Sequence, residues 1–423
     1  MPSYSRVFAG FLFLLLVLPS CRAYSVLSHE AAVDALWDVK LKPVLLERFP
    51  DATPDQLRKA HGYAYGGAIL CDMGYYPHGN KRFSDLTHYV RTGDFVEALI
   101  AQSQTLEEYA FALGALSHHM TDDDGHRYAT NPAEAILYPK LRRKYGAVIT
   151  YEEDPIAHVM TEFGFDVLEV AKGNFAPEAY HDLIGFYVSE PVLERAFFQT
   201  YGLHLADLFP DFDRTVGSFR RAVSKTIPKA TRIAWAQRQD EIRRSQPGMT
   251  ERRFVYVMSR SSYERNWGKQ YDRPTAGDRF LAVILKLVPP FGPLRALQFK
   301  MPTPEVEKMF MQSFVRSTDA YHKALDRLET HTLDLRNTNY DLGAPTRAGE
   351  YRLEDDTHAY WADELAKRDF QSASPEIADS ILEYYGNMAA PIHTKNDPKA
   401  WKRLTAELEA LRSKRAANAG TGR

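Results

Sequence analysis

His118, Asp122 and His126 recur at four-residue steps in "LSHHMTDDDGH", and His158 and Glu162 repeat that step in "AHVMTEF". Four residues carry an α-helix about 40° past a full turn, so such side chains project from one side, roughly 6 Å apart. Imidazole and carboxylate held in this way can chelate a borderline cation such as zinc. A single pair is usually no more than a helix-stabilising contact. The triple differs, because it leaves an apolar helix for the acidic run Asp122–Asp124, where unpaired charge is costly and a bound cation removes the cost. Together the two segments offer more ligands than one tetrahedral ion uses, which implies a multinuclear site.

Helices must position these groups, and the pattern is helical nearly throughout. "SHEAAVDALWDVKLKPVLLERF" (28–49) opens on a Ser N-cap and spaces its apolar residues by three and four. "TPDQLRKAHGYAYGG" (53–67) has Thr at the cap, Pro at the first helical position and Gly at the exit. A Thr-x-x-Glu capping box starts the helix over 105–126. Further helices are expected at 154–172, 176–185, 190–201, 213–226, 228–244, 304–331, 356–369, 375–387 and 398–414, with strand-like alternation almost absent. The expected fold class is therefore all-α, a multi-helix bundle. The turn-rich loop 73–87 places what flanks it. A soft boundary near 245–275 separates a catalytic region, 24–265, from a helical C-terminal region, 266–414, and a disordered tail, 415–423. The later loop "RNTNYDLGAPTRAGEYRLEDD" shows no evident chemistry.

The stretch from Tyr24 to Asp166 resembles the zinc-dependent phospholipase C superfamily. The resemblance rests on "YSVLSHEA", "ILCDMGYYP", "FSDLTHYV", "FALGALSHHMTDDDGH" and "AHVMTEFGFDV". That superfamily includes bacterial phospholipases C, glycosylphosphatidylinositol-specific phospholipase D and, more distantly, fungal single-strand nucleases. It implies three zinc ions in the cleft of an all-helical bundle, hydrolysing phosphodiesters. His29 then belongs with the amino terminus, where Tyr24 would ligate through its amine and carbonyl. Asp72, His88 and His118 share one zinc, Asp122 bridges to the terminal one, and His126, His158 and Glu162 hold the third. Bacterial phospholipases and nucleases place five residues between the Asp and the next His, and this chain has three, as the phospholipase D branch does. A register shifted by one, onto His119 or Asp123, is the alternative.

Clustered zinc lowers the pKa of a shared water and neutralises charge on phosphoryl oxygens, so a zinc-bound hydroxide is the expected nucleophile. Asp72 is a candidate proton acceptor as well as a ligand. No Gly-x-Ser-x-Gly elbow or phosphate loop offers a rival. His61 and His119 read as packing or supporting residues, and His78 as a solvated loop residue. Tyr63, Tyr65, Tyr75, Tyr76 and Phe83 are candidates for lining an apolar or choline-binding cleft. The expected substrate is a phospholipid or other phosphodiester, with transient membrane-surface contact. A single-strand nuclease or nucleotidase and a non-catalytic, zinc-retaining lipid-binding protein are the alternatives.

Composition agrees. The 423 residues carry a formal charge of −2, which gives no electrostatic footprint for nucleic acid. Residues 1–23 read as an export signal, with Arg6 before the apolar run Val7–Leu18 and a small residue, Ala23, at the cut. This implies a periplasmic or extracellular protein. No later stretch is a membrane span; "FLAVILKLVPPFGPL" comes nearest, interrupted by Lys286 and prolines. Cleavage after Ala23 leaves Cys71 without a partner for a disulfide and frees the Tyr24 amine for metal. The rival cut makes Cys21 a lipid anchor and buries that amine in a peptide bond.

Overall fold

Two helices cross so closely that neither has room for a side chain at the crossing. In helix α2 (Pro54–Ala68) a Cβ on Gly67 would lie 1.9 Å from the carbonyl oxygen of Phe111. In α5 (Leu106–Gly125) a Cβ on Gly114 would lie 1.9 Å from that of Ala64. The reciprocal contact lets the Ala68 carbonyl, at the end of α2, reach the ring of His118 at 2.8 Å.

The computed structural model describes residues 26–172, 186–223 and 299–421, with residues 235, 239–240, 243–244 and 250 between the last two blocks. Among the described residues the chain is all-α, and its one extended pairing is an isolated bridge between Asn339 and Ala344. The export segment with Cys21 and Tyr24, the helices expected at 176–185 and 228–244 and the Phe280–Leu297 segment lie outside the described residues or almost wholly so. No helix among the described residues is long and apolar enough to cross a membrane.

Helix α1 (Val26–Leu36) begins before Ser28, so Ser28 is not its cap. A π-helical turn, Trp37–Leu41, joins α1 to a further helical stretch, Lys42–Arg48. The Thr53 cap expected for α2 is present, with Gln56 completing a capping box. At the start of α5, Thr105 accepts from the Glu108 backbone, but the Glu108 carboxylate turns instead to Gln104 N and Arg195. Helix α3 (Lys81–Tyr89) follows a 3-10 turn, Leu70–Tyr75, and precedes α4 (Thr92–Gln102). The π turn His126–Thr130 extends α5 into α6 (Asn131–Leu137), and α7 spans Pro155–Lys172. Asp154 caps α7 by accepting from Ala157 N at 3.0 Å.

Phe111, Leu113 and Leu116 of α5 are fully buried, each contributing about 1.5–3 kcal/mol through area removed from water. The C-terminal helices complete that core. In α8 (Pro304–Glu329) the Tyr321 hydroxyl donates to the Leu113 carbonyl at 2.9 Å. In α9 (Arg352–Ala366) the Trp361 indole donates to the Tyr201 carbonyl at 2.7 Å. The last helix, α10 (Pro398–Thr421), continues past Lys414 into the stretch expected to be a disordered tail. Alanines at 416, 417 and 419 favour that continuation.

Candidate metal centre

Four helices and two turns deliver polar residues to one buried interior cluster. His29 comes from α1, Asp72 from the 3-10 turn, His88 from α3, His118 and Asp122 from α5, His126 from the π turn, and His158 and Glu162 from α7. All eight are buried. Tyr24, the ninth expected ligand, lies outside the described residues.

Asp122 faces two ways. Its Oδ1 lies 3.3 Å from His29 Nε2, while its Oδ2 lies 3.1 Å from His118 Nε2 and 3.6 Å from His88 Nε2. Asp72 Oδ1 is 3.4 Å from His88 Nε2. Glu162 Oε1 forms a second focus, 3.2 Å from His126 Nε2 and 2.9 Å from His158 Nε2. The i, i+4, i+8 ladder is thus divided: His118 and Asp122 serve the first focus, and the widening of the helix at the π turn gives His126 to the second. His119 and Asp123 stay outside, His119 Nδ1 instead meeting the Tyr340 hydroxyl at 2.8 Å.

The other nitrogen of each ring is held from behind. His88 Nδ1 meets the Ser84 carbonyl at 2.7 Å, His118 Nδ1 that of Ala68 at 2.8 Å and His126 Nδ1 that of Tyr340 at 3.1 Å. A carbonyl only accepts, so Nδ1 carries the proton and Nε2 presents its lone pair. His29 Nδ1 lies 2.8 Å from the Thr121 hydroxyl, whose own proton goes to the Ser117 carbonyl at 2.9 Å, so the same tautomer follows. Glu134 Oε1 stands 2.8 Å behind His158 Nδ1.

The forward-facing atoms test whether these residues fit a metal. His88, His118 and His126 Nε2, both Asp122 oxygens, Asp72 Oδ1 and Glu162 Oε1 are buried without a hydrogen-bond partner. Buried polar atoms without partners are costly, and lone pairs converging from imidazole and carboxylate suit zinc. The residues fit. His29, His118 and Asp122 each bring one ligand atom within 4.8 Å of the others, as do His126, His158 and Asp341.

Burial, with His118 adding, lowers His29 to about 4 and His88 to about 3, so both rings are neutral as ligation requires. Burial would lower His118 too, but the Asp122 charge outweighs it and holds the ring well above its ordinary value. Burial would raise Asp122, yet His118 and His126 hold it well below the carboxylate range. Burial raises Glu134 to about 8 against the pull of His158.

The loop between Asp72 and His88 does place them. Ser84 accepts from Gly74 N at 3.0 Å and donates to the Cys71 carbonyl, while its own carbonyl holds His88. Of the aromatic residues proposed for a cleft, Tyr65, Tyr76 and Phe83 are core residues instead. The Tyr65 hydroxyl reaches Asp34, Tyr76 packs on Phe219 and Phe83 on Phe197. Tyr63 stacks on Tyr187. Tyr75 is half-buried, with its ring 5.6 Å from that of His88. His61 packs flat on Trp37 and meets Asp34 at 2.8 Å, and His78 is exposed. Cys71 is buried and in no disulfide.

Glu134, Tyr340 and Asp341 escaped sequence reasoning. Glu134 sits eight residues beyond His126, a continuation of the ladder that the sequence does show. Tyr340 packs edge-on against His88 and tilts over His118, and its backbone N donates to the His88 carbonyl at 3.1 Å. It and Asp341 come from the loop that showed no chemistry of its own.

Residues 28–210, a little under half of the chain, match a family model described as zinc dependent phospholipase C. No curated protein and no solved structure matches the chain.

Proposed function

We propose, from the match of residues 28–210 to the zinc dependent phospholipase C family model, that the chain cleaves phosphodiester bonds, those of phospholipids foremost, after export through residues 1–23. The observation that carries the proposal is the convergence of backed imidazoles and partnerless carboxylate oxygens on two adjoining foci. We assign His29, Asp72, His88, His118 and Asp122 to the first focus and His126, His158 and Glu162 to the second, with Tyr24 as a further ligand once residues 1–23 are removed.

Bound zinc would supply a water of lowered pKa and charge neutralisation at phosphoryl oxygens. The chain's own part is orientation. Carbonyls of Ala68, Ser84 and Tyr340 fix three tautomers, and Thr121 fixes a fourth. Asp122 spans the first focus with separate oxygens, so its position sets the spacing of the groups on either side. Asp72 holds Oδ1 toward the same space and serves as ligand and proton acceptor. Tyr75 offers an aromatic flank beside His88. The near-neutral charge supports a lipid over nucleic acid.

Zinc content of the purified chain, with His118→Ala and Glu162→Ala alongside, tests the ligands; full zinc in both variants would sink the assignment. Turnover of a choline phospholipid against single-stranded DNA tests the substrate. Preferred hydrolysis of DNA would make the chain a nuclease. Bound zinc with no hydrolysis of either would leave a lipid-binding protein.

A further inference from the structure

Asp341 lies well outside residues 28–210, in the loop before α9, yet its carboxylate enters the second focus. One oxygen is fully engaged: Oδ2 accepts from Tyr151 N at 2.9 Å and from the Tyr351 hydroxyl. The backbone on both sides is pinned as well. Asp341 N donates to Asn339 Oδ1 at 3.1 Å, and its carbonyl accepts from Asn131 Nδ2 at 2.6 Å. Oδ1 is different. It is buried, has no hydrogen-bond partner and stands 4.0 Å from His126 Nδ1, beyond hydrogen-bond reach. That ring nitrogen already has the Tyr340 carbonyl, so Oδ1 is not needed to orient His126.

A carboxylate clamped through one oxygen, with the other buried and unmet beside two imidazoles, is arranged as a pre-organised ligand. We propose that Asp341 is the fourth protein donor of the second focus, joining His126, His158 and Glu162. This rests on the zinc reading above and adds a ligand to it. Four protein donors fill a tetrahedral site, and the fourth one here ties the loop before α9 to the helices that bring the other three.

The test uses the full chain with Asp341→Asn, whose amide oxygen can still accept from Tyr151 and Tyr351 while its amide nitrogen cannot ligate. Competition with a chelator should show one ion held about 100-fold more weakly in the variant, the others unchanged. With cobalt in place of zinc, the wild type should give the strong visible absorption of four-coordinate sites, and the variant should lose part of it as water enters. Far-UV circular dichroism of the chelated forms should coincide, separating loss of a ligand from loss of fold. Unchanged affinity and an unchanged cobalt spectrum would overturn the proposal. If the wild type itself holds no metal, the zinc reading fails and this inference with it. If the wild type holds its ions and only the variant comparison is flat, this inference alone fails.

Discussion

Asp166 Oδ1 accepts two hydrogen bonds from Ser28, one from its backbone N at 3.1 Å and one from its hydroxyl at 2.7 Å. The other oxygen accepts from Leu27 N at 3.1 Å. A carboxylate on α7 thereby takes the place of a local cap for α1, the helix that carries His29, and the negative charge suits a helix N-terminus. Asp166→Ala should lower unfolding stability by about 3 kcal/mol, because buried donors lose a charged acceptor. Urea denaturation checks this; a change within about 0.5 kcal/mol would show that the anchor contributes nothing.

The α2–α5 crossing makes a sharper demand. Gly114→Ala sets a methyl group against the Ala64 carbonyl, and neither is at the end of a flexible side chain. The helices must separate, with an expected cost of about 3 kcal/mol or more. His118 should lose its Ala68 partner as well, so zinc affinity should fall with stability. Thermal melts and chelator competition on the same variant read both effects. A stable variant with normal affinity would mean that the crossing has slack.

Glu134 acts through His158. Glu134→Ala should weaken zinc binding by about 10–100-fold while leaving the number of ions at saturation unchanged. Glu134→Gln, whose amide oxygen can still accept from Nδ1, should recover part of the loss. Equal affinities in wild type and both variants would remove Glu134 from the centre.

Glu354 introduces a pH dependence away from the centre. Its Oε2 accepts from Asn339 Nδ2 at 2.8 Å and from the Thr346 hydroxyl, bracing the loop that carries Asp341. Burial nevertheless pushes its carboxyl from 4.5 up to about 7. Between these values the unfolded chain releases a proton that the folded chain keeps. Stability from this group is therefore complete below about 4.5 and is lost as pH rises toward 7, by on the order of 3 kcal/mol. Glu354→Gln removes that contribution, so its stability between pH 5 and 7, roughly, should slope more positively than the wild type's. Coincident slopes in urea titrations would refute the shift.

Local periodicity made most of the centre readable. His118, Asp122, His158 and Glu162 announce themselves because four-residue spacing is a property of one helix, and the all-α class follows from the same pattern. Ser28 misled for a physical reason: a residue suited to capping is recognisable, but whether a carboxylate 138 positions away will take over the task is not. The π turn at His126 was equally hidden, since it depends on what the next helix turn must reach. Asp341 was the least visible. A turn-rich loop gives no spacing signal, and its place in the centre exists only where the π turn, α6 and the turn before α7 hold it.

Tyr340 touches His88 through its amide and ring, His118 through its ring, His119 through its hydroxyl and His126 through its carbonyl. The family match and the architecture therefore have different borders in this molecule. The matching stretch stops at residue 210, but the keystone of its interior is contributed from 130 positions further on. A fragment trimmed to residues 28–210 would keep all eight converging side chains and lose the residue against which His88, His118 and His126, with the neighbouring His119, are set.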